Sequence, residues 1–151
     1  MTELIKIASM RGNLSPELGY IDIRVDRASV LGNPFELTNE EDRDKVCDAY
    51  YEWLFAQINM PSNYSLDLQP YINKGFKKAS KFKCPTSNQV RKELSRLLNL
   101  IKQGNKLRLI CWCKEPNKEV RCHADSIKRV LLSFCKALYK QGHLEYAWTQ
   151  Q

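Results

Sequence analysis

No run of about 20 apolar residues occurs anywhere in this 151-residue sequence, which removes a membrane-spanning helix from consideration. The opening MTELIKIASMRGN also lacks an apolar segment long enough for a secretory signal. The expectation is an intracellular protein of the cytoplasm, or of a host cytoplasm if phage-encoded, with no membrane partner and with its six cysteines held as thiols rather than as a disulfide framework. Internal repeats and low-complexity tracts are missing, so neither a solenoid nor a flexible linker region is expected. Histidine is scarce: only His123 and His143 are present, and His143 reads as an exposed residue. Acidic groups are outnumbered, with 17 Asp and Glu against 24 Lys and Arg, for a formal charge of +7. Such a balance favours anionic partners: nucleic acid, nucleotide phosphates or an acidic protein.

What is there fits one globular domain spanning residues 1–151, since 43% hydrophobic content at this length supports a single core. Leu4 to Met10 and Tyr20 to Asp26 read as strands, the second with clear period-two alternation. Gly32, Asn33 and Pro34 then interrupt regular structure, and Thr38 with Glu41 has the spacing of a capping box. The helix that follows would bury Val46, Tyr50, Trp53, Leu54 and Phe55 and end at Met60-Pro61. Residues 61–85 form a basic loop insertion, with room for one short helix. A second helix is predicted from a Thr86/Gln89 capping box, an apolar stripe through Val90, Leu94, Leu97, Leu98 and Ile101, and Gly104 at its C-cap. Lys106 to Cys113 reads as a strand buried on both faces. Ala124 to Lys140 reads as a third helix packed through Ile127, Val130, Leu131, Phe134 and Leu138, with Gly142 closing it. The predicted fold class is a small Rossmann-like α/β layered domain, its short, mostly parallel sheet flanked by helices.

Two loops follow strand ends, LGNPF (31–35) and the CWC to CHAD segment, and ligands of such sheets collect at the carboxyl ends of strands. One shared site is therefore expected. In KLRLICWC, Cys111 and Cys113 fall on one face, and with Cys122 and His123 they compose a three-thiolate, one-imidazole zinc set that an eight-residue loop is long enough to close. Against zinc, Cys111 and Cys113 are closer in sequence than paired ligands usually are, and Cys122 and His123 are adjacent. A second reading places Cys122, His123 and Asp125 at a helix N-terminus as a catalytic or ligand-binding group: a thiol activated by the dipole, amides facing a phosphate, and Asp125 or His123 as acid or base. A third leaves Cys111 and Cys113 as small packing residues.

In the other loop, Gly32 would let amides approach a ligand and Asn33 would offer its amide to a base or sugar, with Arg27 and Ser29 upstream suited to a phosphate. Phe35 and Trp112 are the candidates for stacking, although LGNPF is also ordinary turn chemistry. Lys74, Lys77, Lys78 and Lys81, interleaved with aromatics, are either a solvated loop or a nucleic-acid contact. Cys47 and Cys135 belong to helix faces and read as core.

Taken together, RVDRASVLGNPF, YYEWL and LICWCKEPNKEVRCHADSI resemble the phage and bacterial family catalogued as domain of unknown function 4326 over about residues 20–132. The matching positions are Arg27, Gly32, Asn33, Pro34, Phe35, Tyr50, Trp53, Cys111, Trp112, Cys113, Cys122, His123 and Asp125. The resemblance implies a Rossmann-like fold and no particular activity. The lysine-rich insert and the KEPNKEVR loop are both longer here than in that pattern. Two functional expectations follow. In the first, the protein binds a nucleotide or nucleoside-type ligand at the mouth of the two loops, with or without hydrolysing or transferring it. In the second, it is a non-enzymatic, zinc-stabilised accessory module that binds nucleic acid or an acidic host protein.

Overall fold

The computed structural model describes residues 3–11, 14–80, 82–112 and 120–142. In chain order the elements are β1 (Ile5–Ser9), β2 (Tyr20–Arg24), β3 (Phe35–Glu36), a 3-10 turn at Glu40–Asp42, α1 (Arg43–Ile58), α2 (Gln69–Asn73), β4 (Lys77–Lys78), α3 (Ser87–Lys102), β5 (Lys106–Cys111) and α4 (His123–Lys140). Strands β1, β5 and β2 form a parallel sheet in that order, and β3 pairs with β4 as a separate antiparallel ribbon. The mixed α/β architecture with a short parallel sheet is the predicted one. Among the described residues, no helix is long and apolar enough to cross a membrane.

The central strand sets the layers. Leu107, Leu109 and Cys111 are fully buried and join Ile5, Ile23 and residues of α1, α3 and α4 in one hydrophobic core. Those three helices pack against one another, and α3 and α4 also pack on the sheet. On the other face of β5, Arg108 is 6% exposed. Its Nε donates to Asp22 Oδ1 at 2.6 Å and its Nη2 donates to Asp22 Oδ2 at 2.9 Å and to the Ser15 carbonyl at 2.8 Å. The strand is thus buried on both faces, but an ion pair rather than a second apolar layer seals the far side.

Helix α3 starts as its sequence predicts: Thr86 accepts from the Gln89 amide while the Gln89 side chain accepts from the Thr86 amide, and Gly104 adopts φ +93° just past the helix end. The Thr38/Glu41 capping box does not form. The α-helix begins at Arg43 after the 3-10 turn, with no side-chain cap at Asn39 or Asp42. Arg43 holds this entry instead, through Glu40 at 2.7 and 2.8 Å and the Arg121 carbonyl at 2.9 Å. A tertiary contact to the chain entering α4 therefore outweighs the local cap. On α1, Val46, Tyr50, Trp53 and Leu54 are buried as expected, whereas Phe55 is 57% exposed and stacks on Tyr51.

The basic insertion does contain one short helix, α2. It also supplies β4, which pairs Lys78 with Phe35 and Lys77 with Glu36. A two-residue ribbon carries no periodic signal, so this pairing was not foreseeable from the sequence.

Candidate functional site

The LGNPF loop is closed on itself. Ser29 Oγ accepts from the Leu31 amide at 3.1 Å, Asn33 Oδ1 accepts from the Phe35 amide at 2.9 Å, and the Gly32 amide donates to the Ser29 carbonyl at 3.0 Å. Arg27 clamps the turn from outside, its Nε donating to the Asn33 carbonyl and its Nη2 to the Phe35 carbonyl, both at 2.9 Å. A Cβ on Gly32 would stand 2.6 Å from Arg27 Cα, so this glycine serves a close approach of the chain to itself. Phe35 is 1% exposed and packs against Tyr71 and Phe76, which makes it core beneath the loop.

The start of α4 is equally well furnished. Cys122 is its N-cap: its sulfur accepts from the Ala124 amide at 3.4 Å, and Asp125 Oδ2 reaches back to accept from the Cys122 amide at 2.9 Å. This is a capping box with a thiol in the position usually held by Ser or Thr, which the sequence rules for caps did not flag. The Asp125 amide donates to the Cys122 carbonyl at 3.0 Å. The amides of Cys122, Ala124 and Asp125 are therefore occupied from within, and a phosphate on this helix end is not supported.

His123 is 4% exposed, and its Nε2 lies 2.5 Å from the Val25 carbonyl at the end of β2. A carbonyl only accepts, so Nε2 carries the proton, and in the neutral ring Nδ1 is the acceptor. Nδ1 lies 3.7 Å from Cys122 Sγ, and that sulfur lies 2.9 Å from Cys111 Sγ. Tyr50 supports both loops at once: its ring meets the His123 ring edge-on at 5.0 Å, and its hydroxyl donates to the Leu31 carbonyl at 2.6 Å.

Between the LGNPF loop and the described residues Trp112 and His123 lies a cleft of about 170 Å3 lined by Asp26, Arg27, Asn33, Phe35, Leu37, Trp112 and His123. It sits at the carboxyl ends of β2 and β5, where Val25 continues the ladder by donating to the Ile110 carbonyl at 3.0 Å. Five predicted ligand or catalytic residues, Arg27, Asn33, Phe35, Trp112 and His123, thus share one cavity. Ser29, Gly32, Cys122 and Asp125 stand behind it as framework. Trp112 is 49% exposed and is the aromatic face open to a ligand.

Of the zinc set, Cys113 lies outside the described residues. The 2.9 Å between Cys111 and Cys122 sulfurs is shorter than the edge of about 3.8 Å that two thiolates keep on a tetrahedral zinc. Of the lysines, Lys74, Lys77 and Lys78 are exposed and Lys77 pairs with Glu36 at 3.2 Å, while Lys81 lies outside the described residues. Buried Cys135 has its thiol pushed up to about 11, and desolvation likewise raises the half-buried Cys84, so neither is an activated nucleophile.

Sequence reasoning missed Asp26 and Leu37. Asp26 is a carboxylate with only 11% of its side chain exposed, held by Arg24 at 2.5 and 3.1 Å. Its signal was available, as an acidic residue at the last position of a predicted strand that precedes a glycine loop.

The architecture and the site together define a small parallel α/β protein with a cleft at its strand ends. Its sequence matches the family model described as domain of unknown function (DUF4326) over residues 11–133, and the chain belongs to that family. No curated protein and no solved structure matches it.

Proposed function

We propose that the cleft between the two loops binds a nucleotide or nucleoside-type ligand. The observation that carries this reading is one cavity at parallel strand ends that joins a half-exposed indole, Trp112, to a nearly buried carboxylate, Asp26, and a fixed cation, Arg27. Its volume, about 170 Å3, falls below the range of roughly 300–1,000 Å3 of sites that enclose whole drug-sized ligands. The enclosed part is therefore a base or a ribose, with the remainder of the ligand outside.

Trp112 supplies the stacking surface, Asp26 accepts from ribose hydroxyls, and phosphate lies toward Arg27 and the β3–β4 edge. Nη1 is the one Arg27 nitrogen not engaged by the loop among the described residues. The geometry supports binding more directly than turnover, because Asp125 and the proton-bearing nitrogen of His123 already hold internal hydrogen bonds.

Calorimetric titration with adenosine, AMP and the other nucleosides and monophosphates tests this. Stacking contributes about 1–3 kcal/mol per base, so Trp112→Ala should weaken binding by roughly 5- to 150-fold. Asp26→Asn should penalise nucleosides more than free bases. No heat and no thermal shift with any of these ligands at millimolar concentration would refute the assignment.

A further inference from the structure

The Cys111–Cys122 contact is unexplained by ligand binding. Two buried thiols, at the end of β5 and at the N-cap of α4, lie with their sulfurs 2.9 Å apart, closer than unbonded sulfur atoms normally rest. A disulfide needs about 2.05 Å, so less than an ångström of further approach separates the pair from a bond. The adjacent imidazole is set as a base: the Val25 carbonyl fixes the proton on Nε2, which leaves Nδ1 to accept from Cys122 Sγ at 3.7 Å. His123 also lines the cleft, so one imidazole borders both the cleft and the buried pair.

We infer that Cys111 and Cys122 are a redox pair that a hydroperoxide converts into an intramolecular disulfide. Cys122 gives its proton to His123 Nδ1, and its sulfur attacks the hydroperoxide. The O–O bond breaks, one oxygen stays on sulfur as a sulfenic acid, and the departing alkoxide or hydroxide takes the proton from His123. The Cys111 sulfur then displaces that oxygen, which leaves as water with the Cys111 proton, and the S–S bond forms. In sum, two thiols lose two electrons and two protons, and the hydroperoxide is reduced to an alcohol, or to water, with one further water. Reversal needs a dithiol or low-molecular-weight thiol reductant, which suits a transient disulfide in a reducing compartment.

The position of the pair couples it to the cleft. Trp112 directly follows Cys111 and His123 directly follows Cys122, so each sulfur is one residue from a cleft wall. Drawing the sulfurs together moves both walls, and the oxidation state sets the cleft's shape.

The test needs no ligand, so it is independent of the nucleotide reading. Reduced protein is treated with one equivalent of hydrogen peroxide, alkylated in denaturant and digested with trypsin. The expected product lacks two hydrogen atoms and contains LICWCK (109–114) joined to CHADSIK (122–128), with fragmentation placing the link on Cys111. Trp112 fluorescence should change with the same time course. Loss of the general base in His123→Ala should slow the reaction by about tenfold or more. Three results would overturn the inference: both thiols remaining fully alkylatable, a link through Cys113 instead, or a stoichiometric zinc on the purified protein that shields the thiols. The wild-type mapping stands even if a variant fails to fold.

Discussion

Replacing Gly32 by alanine isolates what holds the LGNPF loop. The added Cβ would sit 2.6 Å from Arg27 Cα, 2.7 Å from the Asp26 carbonyl oxygen and 3.0 Å from the Arg27 amide nitrogen. All three are backbone atoms, so no rotamer change relieves the contact. The φ of Gly32 lies outside the left-handed region, so alanine meets no conformational penalty there and slightly restricts the unfolded chain, a gain of about 0.4–1 kcal/mol. Overpacking of this kind costs about 1–3 kcal/mol, and taking the middle of both ranges the steric effect wins by about 1–2 kcal/mol. For a chain of this size that corresponds to a fall of roughly 2–8 °C in Tm. Thermal unfolding followed by circular dichroism measures it. Because Asp26, Arg27 and Asn33 all line the cleft, ligand affinity should fall along with Tm. An unchanged or higher Tm would show that the loop backbone relaxes freely, and the argument from close approach would fail.

Removing Asp22 strands the buried Arg108 guanidinium, leaving it the Ser15 carbonyl and Glu17 at 3.8 Å. Breaking a buried pair costs about 3–5 kcal/mol, and the one-third exposure of Asp22 scales this down, so Asp22→Ala should cost roughly 1–3 kcal/mol. Chemical denaturation should also show Asp22→Leu combined with Arg108→Leu recovering much of the loss; a single variant within about 0.5 kcal/mol of wild type would contradict the sealing role. Burial, with Glu52 adding to it, pushes the Tyr71 phenol up to about 12. The fold thus favours the protonated form, and this stabilisation is complete below the ordinary phenol value near 10 and lost as pH rises through about 12. In an absorbance titration of folded protein, Tyr71→Phe should delete a late-ionising component, and superimposable curves would refute the shift.

The elements with strong local signals are legible in the sequence alone. Helix α3 carries its own capping box, apolar stripe and C-cap glycine, so its start and end are written within the element. The β5 run was likewise recognisable, although not the Asp22 partner that lets Arg108 lie in it. Where local signals competed with distant contacts, the distant contacts prevailed. Arg43, tied to the Arg121 carbonyl, sets the entry to α1 despite Thr38 and Glu41. Asp125 has the type and position of an acid or base at a helix N-terminus, yet its carboxylate caps Cys122. Asp26 carries only the weak signal of an acidic residue closing a strand before a glycine loop, and the cleft it lines is a product of the tertiary structure.

By itself the sequence determined the α/β class and the capped helix α3, and it singled out two segments that follow strand ends, because hydrophobic period and turn chemistry act over a few residues. The tertiary structure decided which side chains are occupied and which face the cleft. His123 finds its hydrogen-bond partner 98 residues away in Val25, Cys122 at the start of α4 meets Cys111 at the end of β5, and β4 joins the basic insertion to the LGNPF loop. Such pairings depend on where the core brings distant segments together, and no local pattern records them.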